Sequence, residues 1–181
     1  MTTRRMPDTT ATREKDKPLL AQAVDLYDFR PATPEDIPAM VEMYREFFDE
    51  SYWPGRGMVY DPDRTRKWVT GAINRGDIPH ILAVFKQTGE IAGSVCYMLN
   101  HTFTTEPFAE LNKIYVRPRW RRSAVGRVLM VLCLEIARAD GAVSFNAGVA
   151  AGMETSASLT NLLTKLGFAP VPGASYLYRR L

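Results

Sequence analysis

The chain has 181 residues, 46% of them apolar and 24% charged, with a formal net charge of +3. That length suits one domain with a sizeable core, and that balance excludes a disordered chain. No apolar run approaches the roughly 18 residues of a spanning helix, and no apolar secretory segment opens the chain.

Residues 1–24 are expected as a flexible N-terminal tail that ends in a short helix around Leu19–Val24, with the domain proper at 25–181. A short strand follows at Leu26–Arg30. Thr33 reads as an N-cap, with Pro34 at the first helical position and Asp36 in the first turn. That helix runs to about Asp49 with Ile37, Val41, Tyr44 and Phe48 inward. Its other residues include Glu42, Glu46, Asp49 and Glu50, either a solvated face or a lure for an amine. Residues 51–62 form a loop whose Tyr52, Trp53 and Tyr60 either line an acceptor site or cover the core edge. Asp61 or Asp63 caps a second helix, which runs to Asn74.

Two strands are predicted at Pro79–Phe85 and Ile91–Leu99, joined by a turn containing Thr88-Gly89. The stretch Phe108–Asp140 then organises the chain. FAELNKIYV reads as a strand, with Leu111, Lys113 and Tyr115 on one face and Glu110, Asn112, Ile114 and Val116 on the other. Pro118 ends the ladder. Val125, Leu129, Leu132, Ile136 and Ala139 mark the inward stripe of a helix. Between strand and helix lie Arg117, Arg119, Arg121, Arg122 and Arg127, with no acidic residue among positions 117–127. A helix start offers free N–H groups and partial positive charge, and Ser123, Ala124 and Gly126 are small enough for close backbone approach. This combination reads as an anion site.

A strand at Ala142–Val149, a helix ending near Leu166 and Gly167, and strands at Phe168–Val171 and Ser175–Arg180 complete the prediction. Cys96 and Cys133 both sit in apolar stretches and read as reduced core thiols, which fits a cytoplasmic setting. His80 and His101 are the only histidines, so no compact metal cluster is expected.

The stretch ELNKIYVRPRWRR and the loop after it resemble the GNAT-type N-acyltransferase family. The matching positions of the family's Arg/Gln-x-x-Gly-x-Gly/Ala motif are Arg121, Ala124 and Gly126, with alanine where glycine is usual. RPATPEDIPAM and LTKLGF resemble the family's first strand-to-helix passage and its last helix-to-strand ending. The resemblance implies an α+β/α/β fold, a single-domain acyl-CoA N-acyltransferase with a mixed sheet of about six to seven strands flanked by helices. It implies acetyl-CoA as cofactor, with the diphosphate on the loop of Arg121, Arg122, Ser123, Ala124, Val125, Gly126 and Arg127. The pantetheine arm would pair with the strand end at Ile114, Tyr115 and Val116, where that strand splays from Ala142–Val149. It further implies an amine-bearing small molecule, peptide or protein as acceptor, and homodimers.

The implied reaction is direct attack of an amine on the thioester, which needs no protein nucleophile. Glu110 is the candidate base, since burial near the strand's splayed end would raise its pKa toward neutrality. A family tyrosine that donates a proton is replaced by Leu163. The substitution motivates one alternative, a non-catalytic acyl-CoA-binding or assembly protein on the same fold. A nucleic-acid module using residues 117–127 is weaker, because no zinc spacing or aromatic RNA-binding motif accompanies the patch.

Overall fold

The computed structural model describes residues 17–101, 104–149, 156–171 and 176–180. Helix α1 (Lys17–Leu26) precedes strand β1 (Tyr27–Pro31), so helix occupies residues 17–24, the end of the expected tail. Ala23 anchors α1 by packing on Val128 and Leu132, a tertiary contact that local propensity does not announce. Residues 1–16 lie outside the described part.

Thr33 starts a tight 3-10 turn at Pro34–Asp36, which runs directly into α2 (Ile37–Asp49). The Asp36 carboxylate accepts from the Thr33 N–H at 2.8 Å and from both terminal nitrogens of Arg30 at 2.6 and 2.8 Å. This arrangement fixes the entry angle of α2. Helix α3 (Pro62–Arg75) is capped by Asp61, whose side chain accepts from the N–H groups of Asp63 and Arg64.

Strands β2 (His80–Phe85), β3 (Ile91–Asn100) and β4 (Phe108–Val116) follow. Then come α4 (Val125–Ala139), β5 (Ser144–Gly148), α5 (Ser156–Lys165), β6 (Ala169–Pro170) and β7 (Tyr176–Arg180). The strands form one mixed sheet in the order β1-β2-β3-β4-β5-β7-β6, parallel only between β4 and β5. The strands at the C-terminal side are shorter than expected from the apolar runs. Ala142 and Val143 belong to the turn before β5, where the Ala142 N–H bonds to Ala137 O.

The sheet separates two cores. On one face, α4 and α5 pack Val125, Leu129, Cys133 and Leu163 against Val95, Tyr97, Ala109 and Leu111. On the other, α2 and α3 pack Met40, Met43, Tyr44 and Val69 against Leu82, Val84 and Tyr115. Helix α4 runs across the middle strands, which explains why its apolar stripe is so wide.

Strand β4 departs from simple alternation. Cys96 pairs with Lys113 and Tyr97 with Leu111, so Asn112 has no partner on β3 and forms a bulge. The extra residue shifts the side-chain phase. Glu110 pairs with Met98 and Asn112 interacts with Cys96 and Met98, placing both on the face of Lys113 and Tyr115. Leu111 turns to the opposite core with Ile114 and Val116. The strict period-two reading of residues 110–116 is therefore corrected at Leu111, Glu110 and Asn112.

Candidate active site

Pairing between β4 and β5 covers only Phe108–Ser144, Ala109–Phe145 and Glu110–Asn146. From Leu111 onward β4 has no partner on that side, while Ala147 and Gly148 of β5 pair only with β7. The two parallel strands thus part at Glu110. The gap exposes the backbone of Ile114, Tyr115 and Val116 to an extended ligand arm.

At the end of β4, the chain turns through Pro118–Trp120 and enters α4 at Val125. Trp120, Arg121 and Ser123 use their N–H groups within the turn, and Val125 donates to the Ser123 hydroxyl at 3.2 Å. The amides of Arg122, Ala124 and Gly126 have no backbone acceptor among the described residues. These donors sit at the start of a fifteen-residue helix. Gly126 has a packing role as well, since a Cβ there would meet Val116 Cγ2 at 3.4 Å.

The basic loop is less free than its sequence suggests. Arg117 donates to Glu46 at 2.9 Å and to Ile91 O at 3.2 Å. Arg119 pairs with Glu90 and stacks on Trp120. Arg121 donates to Val116 O at 3.0 Å, pairs with Glu50 and lies over the Tyr115 ring. Its guanidinium braces the turn from beneath. Arg122 is exposed and Arg127 is half-buried on the first turn of α4. The acidic face of α2 is likewise committed, because Glu42 pairs with Arg45, Glu46 with Arg117 and Glu50 with Arg121.

On the α2–α3 side, the bulged face of β4 meets a cavity of about 560 Å³. Tyr44, Phe47, Trp53, Tyr60 and Trp68 give it aromatic walls, and Lys113 forms part of its lining. Of the loop aromatics, Trp53 and Tyr60 line the cavity, whereas Tyr52 packs beside Trp53 and under Arg56. The Tyr60 hydroxyl donates to Val41 O at 2.6 Å, which fixes the loop against α2. Glu110 lies on this same face, half-buried, and accepts from Asn100 Nδ2 at 3.1 Å.

Behind the cavity, His80 is buried, with its Nδ1–H donating to Ile78 O at 2.9 Å and its Nε2 without a partner among the described residues. Burial, reinforced by the Lys113 charge, pushes its pKa down to about 4. Leu163 is wholly buried in the other core, so its position supplies no proton. The side chains of Tyr176 and Tyr178 lie outside the described residues. Lys113, Trp68 and Asn100 had no functional reading in the sequence. For Lys113 the signal was the polar run Asn112-Lys113 interrupting an otherwise apolar strand end; Trp68 and Asn100 left none.

A strand that parts from its neighbour above an amide-rich helix start is what an acyl-CoA site requires. The model of the acetyltransferase (GNAT) family matches residues 37–168. The chain belongs to that family. It is an acetyl-CoA-dependent N-acetyltransferase acting on an amine.

No curated protein matches the chain. Among solved structures, it is similar to the ribosomal-protein-alanine N-acetyltransferase of Brucella melitensis, at 22% identity and a TM-score of 0.68. That match covers 85% of this chain and 99% of the other. It is also similar to yncA of Salmonella typhimurium, solved with its cofactor acetyl-CoA. Here the identity is 20% and the TM-score 0.66, over 86% of this chain and 94% of the other. These likenesses support the fold. Among the described residues, no cluster of three or more His, Cys, Asp or Glu could hold a metal, and no helix is long and apolar enough to cross a membrane.

Proposed function

We propose that the two sides of β4 divide the reaction. The side of the Ile114–Val116 backbone that faces away from β3, left open where β5 departs, receives the pantetheine arm. The amides of Arg122, Ala124 and Gly126, with the charges of Arg122 and Arg127, hold the diphosphate, while the Ser123 hydroxyl, donating to Trp120 O and accepting from the Val125 N–H, keeps the loop in shape. Arg121 serves the same site by holding the turn in shape. Bound there, acetyl-CoA supplies an acetyl group already activated as a thioester. The acceptor amine enters from the aromatic cavity.

Glu110 takes the amine's proton, directly or through a water, as the nitrogen attacks. The observation that carries this reading is the phase shift at Asn112. It puts the carboxylate on the cavity face at the point where β4 and β5 part. The Asn100 amide orients the carboxylate and leaves its second oxygen available. No side chain in a described position replaces the missing tyrosine, and a thiolate leaves without obligatory protonation.

The domain expected at 25–181 extends back to α1, as the Ala23 packing supports. Two free, buried cysteines favour a reducing cytoplasm. Homodimerisation is the assembly that the family implies.

Thiol release from acetyl-CoA tests the catalytic reading, with a panel of small amines, amino acids and peptides. The protein's own thiols are suited to that assay. Burial pushes Cys96 up to about 12 and Cys133 well above the ordinary thiol value. Amine-dependent release is expected. Saturable CoA binding with release no faster than the uncatalysed rate would favour a non-catalytic acyl-CoA-binding protein.

A further inference from the structure

The cavity wall contains one feature that acyl transfer does not require. The Lys113 ammonium lies 4.1 Å from the ring centre of Tyr44, 4.8 Å from that of Trp68 and 5.2 Å from that of Phe47. No carboxylate pairs with it among the described residues. Its other polar neighbours are the thiol of Cys96 and the ring of His80, both neutral at physiological pH. Burial lowers the Lys113 pKa from the ordinary ammonium value; the ring faces attract the cation, but they do not accept its hydrogen bonds as an anion would. Arg117, Arg119 and Arg121 of the cofactor loop take their carboxylates from Glu46, Glu90 and Glu50. Lys113 faces an open cavity instead.

We propose that Lys113 is the anion anchor of the acceptor pocket, and that the preferred acceptor is a small amine with an apolar or aromatic body and a carboxylate of its own. The proposal rests on the reading of this cavity as the acceptor side. Glu110 and Lys113 lie opposite Met98 and Cys96, two residues apart on β3. Along the strand that is about 7 Å, so one small molecule can present its amine to Glu110 and its carboxylate to Lys113. The walls suit its body. Phe48, Trp53 and Met58 line the cavity, Val59 stands 87% exposed at its lip, and Asp61, Arg64 and Thr65 form the polar part of the lining. Asp61 and Arg64 pair with each other at 3.3 Å, whereas Lys113 faces aromatic rings. Selection would follow from charge. An amine without an anionic group brings a second cation beside Lys113, whereas a carboxylate completes the ammonium's hydrogen bonds among those rings.

Binding of unreactive probes tests this without turnover. Trp53 and Trp68 line the cavity and report by fluorescence. The probes are 3-phenylpropanoate, its neutral analogue 3-phenylpropanamide, and phenethylamine. The wild-type protein is expected to bind the propanoate about tenfold more tightly than the amide, and phenethylamine most weakly. Lys113→Met keeps the apolar stem and should abolish the difference, while Lys113→Arg should retain part of it. Equal affinities in the wild-type protein, a lack of binding by all three probes, or a preference that survives in Lys113→Met would overturn the proposal. If Lys113→Met does not fold, the wild-type series and Lys113→Arg decide. A pocket without carboxylate preference in a protein that still acetylates amines would reject the anchor alone. A protein that binds the propanoate but transfers nothing would reject the catalytic reading alone.

Discussion

Glu50 Oε1 accepts the Tyr115 hydroxyl at 2.7 Å, joining the end of α2 to the end of β4. Its other oxygen pairs with Arg121, which in turn donates to Val116 O. One carboxylate therefore holds the strand end and the turn after it. Burial, together with this carboxylate, pushes the Tyr115 phenol well above its ordinary range, so it stays protonated and keeps its proton for Glu50. Glu50→Ala should lower stability by about 1–2 kcal/mol, with Glu50→Gln retaining part of the loss. Urea unfolding of the three proteins reads this directly, and an unchanged midpoint in Glu50→Ala would contradict it.

Gly93 lies opposite Val116, and a Cβ on it would come 2.7 Å from Tyr115 O and 3.2 Å from Val116 Cα. Both obstacles are backbone, so the strands must move apart. Gly93→Ala is expected to cost about 2 kcal/mol, or roughly 4–8 °C in melting temperature. It should also weaken CoA binding, because Val116 leads into the amide-bearing turn. A melting temperature equal to that of the wild type would show that the pair tolerates the methyl group.

His80 makes stability depend on pH. In the unfolded chain it takes up a proton near pH 6.5, but in the fold only near pH 4. The unfolded state thus binds more protons between these values, so the native state loses stability as pH falls from about 6.5 to 4. The loss attributable to this ring is up to about 3 kcal/mol. Urea titrations of wild type and His80→Leu across pH 4–7 should show a shallower decline in the variant. Parallel curves would assign the acid sensitivity to other groups.

Glu110→Gln keeps an oxygen for Asn100 but cannot take a proton. It should reduce kcat by about 10²–10⁴ while CoA affinity stays within about twofold. The deficit should narrow at high pH, where the free amine is already neutral. Undiminished turnover with normal cofactor binding would remove Glu110 from the base role.

Much of the frame was legible in residue patterns. The stripe of α4, the end of β4 at Pro118 and the Thr33–Asp36 start of α2 follow from period and capping chemistry, which act over a few residues. What the pattern misplaced depends on distant partners. Arg117 read as part of a free basic loop and Arg121 as cofactor charge, yet carboxylates 71 positions away pair with both. Glu110 read as facing away from Lys113, because a bulge is defined by the neighbouring strand and leaves only a weak trace in its own. Helix α1 was legible as the short helix around Leu19–Val24, but its docking was not, because that depends on Ala23 meeting a helix about a hundred residues later. The cage around Lys113 assembles from α2, α3 and β4, so no local spacing announces it.

Asn112 is the residue of β4 that the ladder with β3 does not count. Its side chain shares a face with that of Lys113, so the bulge absorbs it and the alternation resumes on either side. Removing it would leave Lys113 opposite Cys96, Leu111 opposite Tyr97 and Glu110 opposite Met98, and the other side chains of the strand would keep their faces. What a deletion takes away is the contact with Cys96 and Met98 and the local twist that a bulge adds, close to where β4 leaves β5. For anyone recasting this scaffold, Asn112 is a spare residue in register and a fixed one in curvature.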